Sequence, residues 1–129
     1  MLRYVLLAAA LAAAAPAQAF TSSNRMRVDA TGPVTFSVAS RGGNYSAADF
    51  WCAAGEYADR ILNARQNTRV WRLSEPPRRS GQPVVFSLDP AGRASRTGLS
   101  VLGTDDGSLS VASARNQCQL LRDLNDRRR

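Results

Sequence analysis

The sequence predicts an α+β domain. An antiparallel-rich sheet of four or five strands carries one main helix over 46–63, and a second helix covers 113–124. Three observations predict it. Apolar and polar side chains alternate with period two at Val34-Thr35-Phe36-Ser37-Val38 and again around Val84, Phe86 and Leu88. A helical spacing of apolar residues runs from Phe50 to Ile61. The only two cysteines, Cys52 and Cys118, fall one in each predicted helix. The order of elements is β-α-β-β-β-β-α within one domain over 31–124, which suits a chain of 129 residues.

The first segment is read as an export signal rather than as part of the fold. Arg3 supplies a positive start, Val5 to Ala15 is a short apolar run, and Ala17-Gln18-Ala19 is a small-x-small cleavage site before Phe20. The run is too short to cross roughly 30 Å of hydrocarbon as a helix. Cleavage between Ala19 and Phe20 delivers the chain to the periplasm or beyond, where disulfides persist. Residues 20–30 are polar and aperiodic, and they read as a flexible lead-in. Residues 125–129, ending in Arg127-Arg128-Arg129, read as a basic tail.

Each remaining element has its own signal. Thr31-Gly32-Pro33 is turn chemistry, followed by a strand over 33–40 that Arg41-Gly42-Gly43-Asn44 ends. Ser46 and Asp49 fit the N-cap and N3 positions of the main helix. Asn44-Tyr45-Ser46 is also a glycosylation sequon, but capping is the better use of Ser46. On that helix Phe50, Ala54, Tyr57, Ala58 and Ile61 share one face, with Trp51 and Leu62 at its edge. Glu56, Asp59 and Arg60 lie on the opposite, solvated side, where Glu56 and Arg60 are spaced to pair. Gly55 costs about 1 kcal/mol against Ala inside a helix, and it marks a close approach by another element. Thr68 to Ser74 is a strand that the Pro76-Pro77-Arg78-Arg79-Ser80-Gly81 turn ends. It pairs antiparallel with its successor or runs parallel to strand 33–40 through a crossover. Pro83 to Leu88 is a strand, and Asp89-Pro90-Ala91-Gly92 is a turn. Leu99 to Gly103 and Ser108 to Ala112 are two short strands joined by Thr104-Asp105-Asp106-Gly107. Ala114, Cys118, Leu121 and Leu124 form the stripe of the last helix.

Cys52 and Cys118 are expected to form a structural disulfide, because an exported chain with one cysteine pair usually bridges it. Loop-closure entropy assigns a bridge of that span about 4 kcal/mol. Cys52 sits far around the helix from its main apolar face. The last helix should therefore cover the flank opposite the sheet, or one end of the helix. The pair lacks the Cys-x-x-Cys spacing of a redox dithiol.

Composition removes several chemistries. The 17 basic residues are all Arg, and His is absent. That excludes Ser-His-Asp and Cys-His nucleophiles, His-ligated zinc, Schiff-base lysine and the P-loop lysine. No cofactor or metal is expected. None of the carboxylates forms an evident catalytic pair, and Asp105-Asp106-Gly107-Ser108 lacks the alternate ligands of a calcium loop. Arg without Lys, beside abundant Ala, is the composition of a GC-rich bacterial genome. Five arginines, Arg65, Arg69, Arg72, Arg78 and Arg79, nonetheless crowd into a short stretch around Trp71. They form a candidate anion-binding set, with Trp71 available for stacking unless it lies in the core. Outside the cell its anions would be lipopolysaccharide, phosphorylated polymers or a partner protein rather than nucleic acid.

Trp51-Cys52-Ala53-Ala54-Gly55-Glu56-Tyr57-Ala58 is similar to the central WC-x-AG-x-YA helix of small exported bacterial proteins of unknown function. The resemblance extends to the basic Pro-rich turn at Pro76 to Gly81, the strand Val85-Phe86-Ser87-Leu88-Asp89-Pro90 and the late Cys118. It implies export and brings no activity or catalytic residues. The functional expectation is a non-enzymatic module that binds a protein or envelope component. A polyanion-binding protein and a hydrolase using carboxylate, Ser or Tyr chemistry are the alternatives.

Overall fold

The computed structural model describes residues 19–129, so the expected export signal lies outside the described residues except for its last residue, Ala19. The fold is α+β, with six strands in one antiparallel sheet and two helices. The strands are β1 (Phe20–Thr21), β2 (Arg27–Ala30), β3 (Thr35–Ala39), β4 (Arg69–Arg72), β5 (Val84–Ser87) and β6 (Ser108–Ser110), in the spatial order β1-β2-β3-β5-β4-β6. Helix α1 spans Ala47–Arg60 and helix α2 spans Val111–Arg127.

Residues 20–30 are not a lead-in outside the domain. They form β1 and β2, and Val28 pairs with Val38 on β3. The segment is polar by count, but Met26 and Val28 are fully buried and Phe20 packs its ring 5.8 Å from Tyr57. Two inward residues on so short a hairpin leave no periodicity to read.

The sheet brings its apolar positions to one face. Arg72, Phe86 and Phe36 line up across β4, β5 and β3, and Val84, Val38 and Val28 form the next row. The α1 residues Phe50, Trp51, Ala54, Tyr57 and Ala58 cover these rows. Phe36 meets Tyr57 at 4.5 Å and Trp51 meets Phe86 edge-on at 4.8 Å. β3 and β4 run in the same direction with β5 inserted between them, each antiparallel to β5. The β3-α1-β4 unit is thus a split crossover: β4 pairs antiparallel with its successor β5 and also runs parallel to β3 without pairing with it.

Helix α2 packs on the other side of α1. The Cys52–Cys118 disulfide joins them, and a Cβ on Gly55 would lie 2.6 Å from the Arg115 backbone nitrogen. Ser46 and Asp49 make the expected cap, with the Ser46 N–H donating to Asp49 Oδ2 at 2.8 Å. The burial of α1 on both sides removes the solvated face expected for Glu56, which is 5% exposed. It accepts bonds from the Ser23 N–H and hydroxyl instead of pairing with Arg60, and its Oε1 lies 3.5 Å from Cys118 Sγ. Ile61 is exposed because α1 ends at Arg60. The stripe of α2 buries only Val111, Ala114 and Cys118; Leu124 is exposed and the helix continues through most of the expected basic tail.

The hairpin expected over 99–112 does not form. Residues 99–103 are not a strand, and Leu102 is fully exposed. Gly98 and Gly103 take positive φ, and Asp105 ties the loop back to Thr97, so the chain curls instead of extending. β6 pairs with β4, with Val70 opposite Leu109. No helix among the described residues is long and apolar enough to cross a membrane.

Candidate functional site

The period-two geometry of β4 separates the predicted anion-binding arginines. Arg69 and Trp71 face away from α1, while Val70 and Arg72 face the core. Arg69 donates to Ser108 Oγ and O and lies 3.9 Å from Asp106. Trp71 is not a core residue: it is half-buried on the outer face, with the Arg93 guanidinium 5.4 Å over its ring. Arg65 and Arg79 are exposed. The five residues are therefore not one patch. Arg72 and Arg78 alone come together, in a cleft of about 240 Å³ between the start of α1 and the Pro76-Pro77 turn.

Arg72 is 2% exposed, an unusual place for a guanidinium without a carboxylate partner. Its Nε donates to the Ser74 carbonyl at 2.7 Å, and its Nη1 donates to the Thr97 carbonyl at 3.0 Å. Its Nη2 has no partner, the one buried side-chain nitrogen or oxygen among the described residues in that condition. No carboxylate oxygen lies within 4 Å of it among the ion pairs of the described residues. Burial pushes its pKa down. Glu75 opposes that shift, while Arg96 and Arg78 add to it. A guanidinium stays charged at neutral pH regardless. Glu75 is itself occupied, accepting from the Ser95 hydroxyl and N–H, and these bonds lower its pKa.

The surrounding chain holds Arg72 in place. The Thr97 carbonyl accepts from both Arg72 and the Trp51 indole N–H, at 3.0 Å each. Thr97 is held in turn by Asp105, which accepts from the Thr97 N–H and hydroxyl and from the Gly107 N–H. Desolvation raises the Asp105 pKa, but these hydrogen bonds outweigh it and the net shift is downward. Gly98 has φ +82°, and a Cβ there would come 2.5 Å from Arg72 Nη1, so only glycine lets the loop approach this closely.

The accessible lining of the cleft is divided about evenly between polar and apolar surface, and Phe50 and Val84 behind it are themselves buried. Tyr45, Phe50, Pro76, Pro77 and Val84 form its walls, and the Arg78 guanidinium sits 4.7 Å over the Phe50 ring. The lining holds no carboxylate and no thiol. Two guanidiniums without a carboxylate beside them give the cleft a local positive charge that suits an anionic group. Sequence reasoning placed Arg72 in the anion-binding set but missed Thr97, Gly98 and Asp105, because their segment read as a hairpin. The signal that could have found them is an arginine at a core-facing strand position with no acidic residue at any neighbouring inward position.

The remaining dense cluster is Cys52, Glu56 and Cys118, whose ligand atoms lie within 4.8 Å of one another. Both sulfurs are committed to the disulfide, and there is no free cysteine among the described residues. No family model, no curated protein and no solved structure matches the chain.

Proposed function

We propose that this is an exported, disulfide-stapled, non-enzymatic module that binds an acidic group of an envelope component in the Arg72 cleft. The observation that carries the reading is the buried Arg72 Nη2 without a partner. A buried donor left unsatisfied costs on the order of 1–3 kcal/mol, and more when charged. An arginine held in that state by two carbonyls, at the buried end of a cleft that Arg78 also lines, is a group that an acidic ligand would satisfy. The absence of His from the chain and of carboxylates from the cleft lining argues against proton-transfer catalysis there. The disulfide and the apolar run before Ala19 support export. The polyanion reading has less support, because exposed Arg65 and Arg79 share no surface feature with Arg72.

The test is retention of envelope-extract components on immobilised protein, comparing the native chain with Arg72→Gln and Arg78→Gln. The native chain should retain a component that salt releases, and both variants should lose it while keeping a native circular dichroism spectrum. Identical retention by all three proteins would refute the reading.

A further inference from the structure

We infer that the protein docks on the surface of an anionic lipid bilayer, with the Val101-Leu102 loop entering the interface and nearby arginines meeting the headgroup phosphates. The inference does not rest on the Arg72 reading. It uses an exposed loop and cations outside the core.

The loop is the first observation. Among the exposed large apolar side chains of the described residues, Val101 and Leu102 are the two adjacent in sequence. Leu102 is fully exposed and Val101 is 40% exposed. The base of the loop is nevertheless fixed. Asp105 accepts from the Thr97 N–H and hydroxyl, and the Leu99 N–H donates to the Thr97 hydroxyl. Leu99 packs against the core, and Gly98 and Gly103 take positive φ at the two ends of the excursion. A tethered base thus holds two apolar side chains out in water, where an apolar phase would stabilise them.

The second observation is the charge beside that base. Arg96 and Arg78 lie close enough to Arg72 to help lower its pKa, and Arg78 lines one cleft with Gly98. Tyr45 borders both that cleft and the hollow of Leu124 and Arg128, so the end of α2 adjoins the same region across the start of α1. Arg96 and Arg128 are exposed, Arg78 is half-buried, and none of the three forms an ion pair among the described residues. The nearby carboxylates are engaged: Asp49 caps α1, Glu75 holds Ser95 and Asp105 holds Thr97. Asp123 and Asp126 share the last turns of α2 with Arg127, Arg128 and Arg129. A soluble polyanion would meet the arginines but give Leu102 no apolar phase. An anionic bilayer surface supplies both.

The probes are vesicles of phosphatidylcholine alone and of equal parts phosphatidylcholine and phosphatidylglycerol, floated with protein purified from cells expressing the full chain. The protein should float with the anionic vesicles and stay behind with the neutral ones. Arg96→Gln and Arg128→Gln should each weaken binding about fivefold, the worth of one basic side chain near an anionic surface. Leu102→Ser should weaken it about tenfold. Ile61→Ser removes another exposed apolar side chain, at the opposite end of α1, and should leave binding unchanged. All four substitutions are on exposed side chains, so each variant should keep the native circular dichroism spectrum. Leu102→Trp should add blue-shifted emission with anionic vesicles and none with neutral ones. Failure of the native chain to float with anionic vesicles overturns the inference. So does equal binding of Leu102→Ser and the native chain, or an equal loss in Ile61→Ser. Binding to dextran sulfate as tight as to the vesicles, with Leu102→Ser unaffected on both, assigns the surface to a soluble polyanion instead. Each of these failures leaves the Arg72 reading standing, because extract retention by Arg72→Gln tests that reading separately.

Discussion

Replacing Gly55 with alanine tests the packing of the two helices, because local propensity and tertiary contact demand opposite signs. Gly55 lies in the middle of α1, where alanine is worth about 1 kcal/mol over glycine. On that ground alone Gly55→Ala stabilises. The structure reverses the sign. A Cβ at Gly55 would lie 2.6 Å from the Arg115 backbone nitrogen, 2.8 Å from Ala114 Cβ and 2.9 Å from the Ala114 carbonyl carbon. Two of those three atoms are helix backbone, which cannot rotate aside, so α2 must translate. The Cys52–Cys118 bridge lies one turn away on both helices and resists that movement. Overpacking at a site that can yield costs about 1–3 kcal/mol, and this one lies at the stiff end of that range. After the propensity gain, Gly55→Ala should destabilise by about 2 kcal/mol. Urea unfolding of the oxidised proteins reads the difference as a lower midpoint at an unchanged slope. In a Cys52→Ser, Cys118→Ser background α2 is freer to shift, and the cost of Gly55→Ala should shrink. A variant as stable as the native chain, or more so, would refute the close-packed helix pair.

Three further outcomes follow from the same geometry. Cys52→Ser and Cys118→Ser should each cost about 4 kcal/mol, and the double variant no more than either, because all three remove one crosslink; additive losses in urea unfolding would mean two independently packed thiols. Asp105 has a folded pKa below its unfolded value, so its contribution is present above about pH 4 and is lost as pH falls through the depressed folded pKa. Asp105→Asn should therefore cost about 1 kcal/mol at neutral pH, discounted for partial solvation, and should flatten the acid side of the stability profile; an unchanged profile would remove Asp105 as the tie of the Thr97 loop. Intact-mass analysis of exported material should find Phe20 as the first residue, and a species retaining Met1 to Ala19 would contradict the export reading.

The fold was legible wherever one side chain pattern had one physical explanation. β3, β5 and the core face of α1 follow from alternation and helical spacing, since burial on a single side imposes both. The phase of Cys52 left two placements for α2, the flank of α1 opposite the sheet or one end of α1, and the structure takes the first; Gly55 marked the close approach. Double burial was what the pattern hid. Glu56 reads as solvent-facing until α2 covers it, and no local feature records that Ser23 waits to receive it. β1 and β2 are too short for their period to stand out, and the 89–107 loop is organised by side-chain bonds at Asp105 rather than by alternation. Arg72 was legible as an arginine but not as a buried one, because a run of charged residues suggests a surface. Only the register with Phe86 places it on the core face.

Arg72, buried with an unpartnered Nη2 at the cleft, is proposed to meet an acidic group there. The most direct test is a crystal structure of the protein grown with 3-phenylpropanoate. We expect the carboxylate beside the Arg72 and Arg78 guanidiniums, with the Ser74 and Thr97 carbonyls still bonded to Arg72. A structure in which Nη2 donates to a protein acceptor, with the cleft closed and the acid absent from it, would contradict the account.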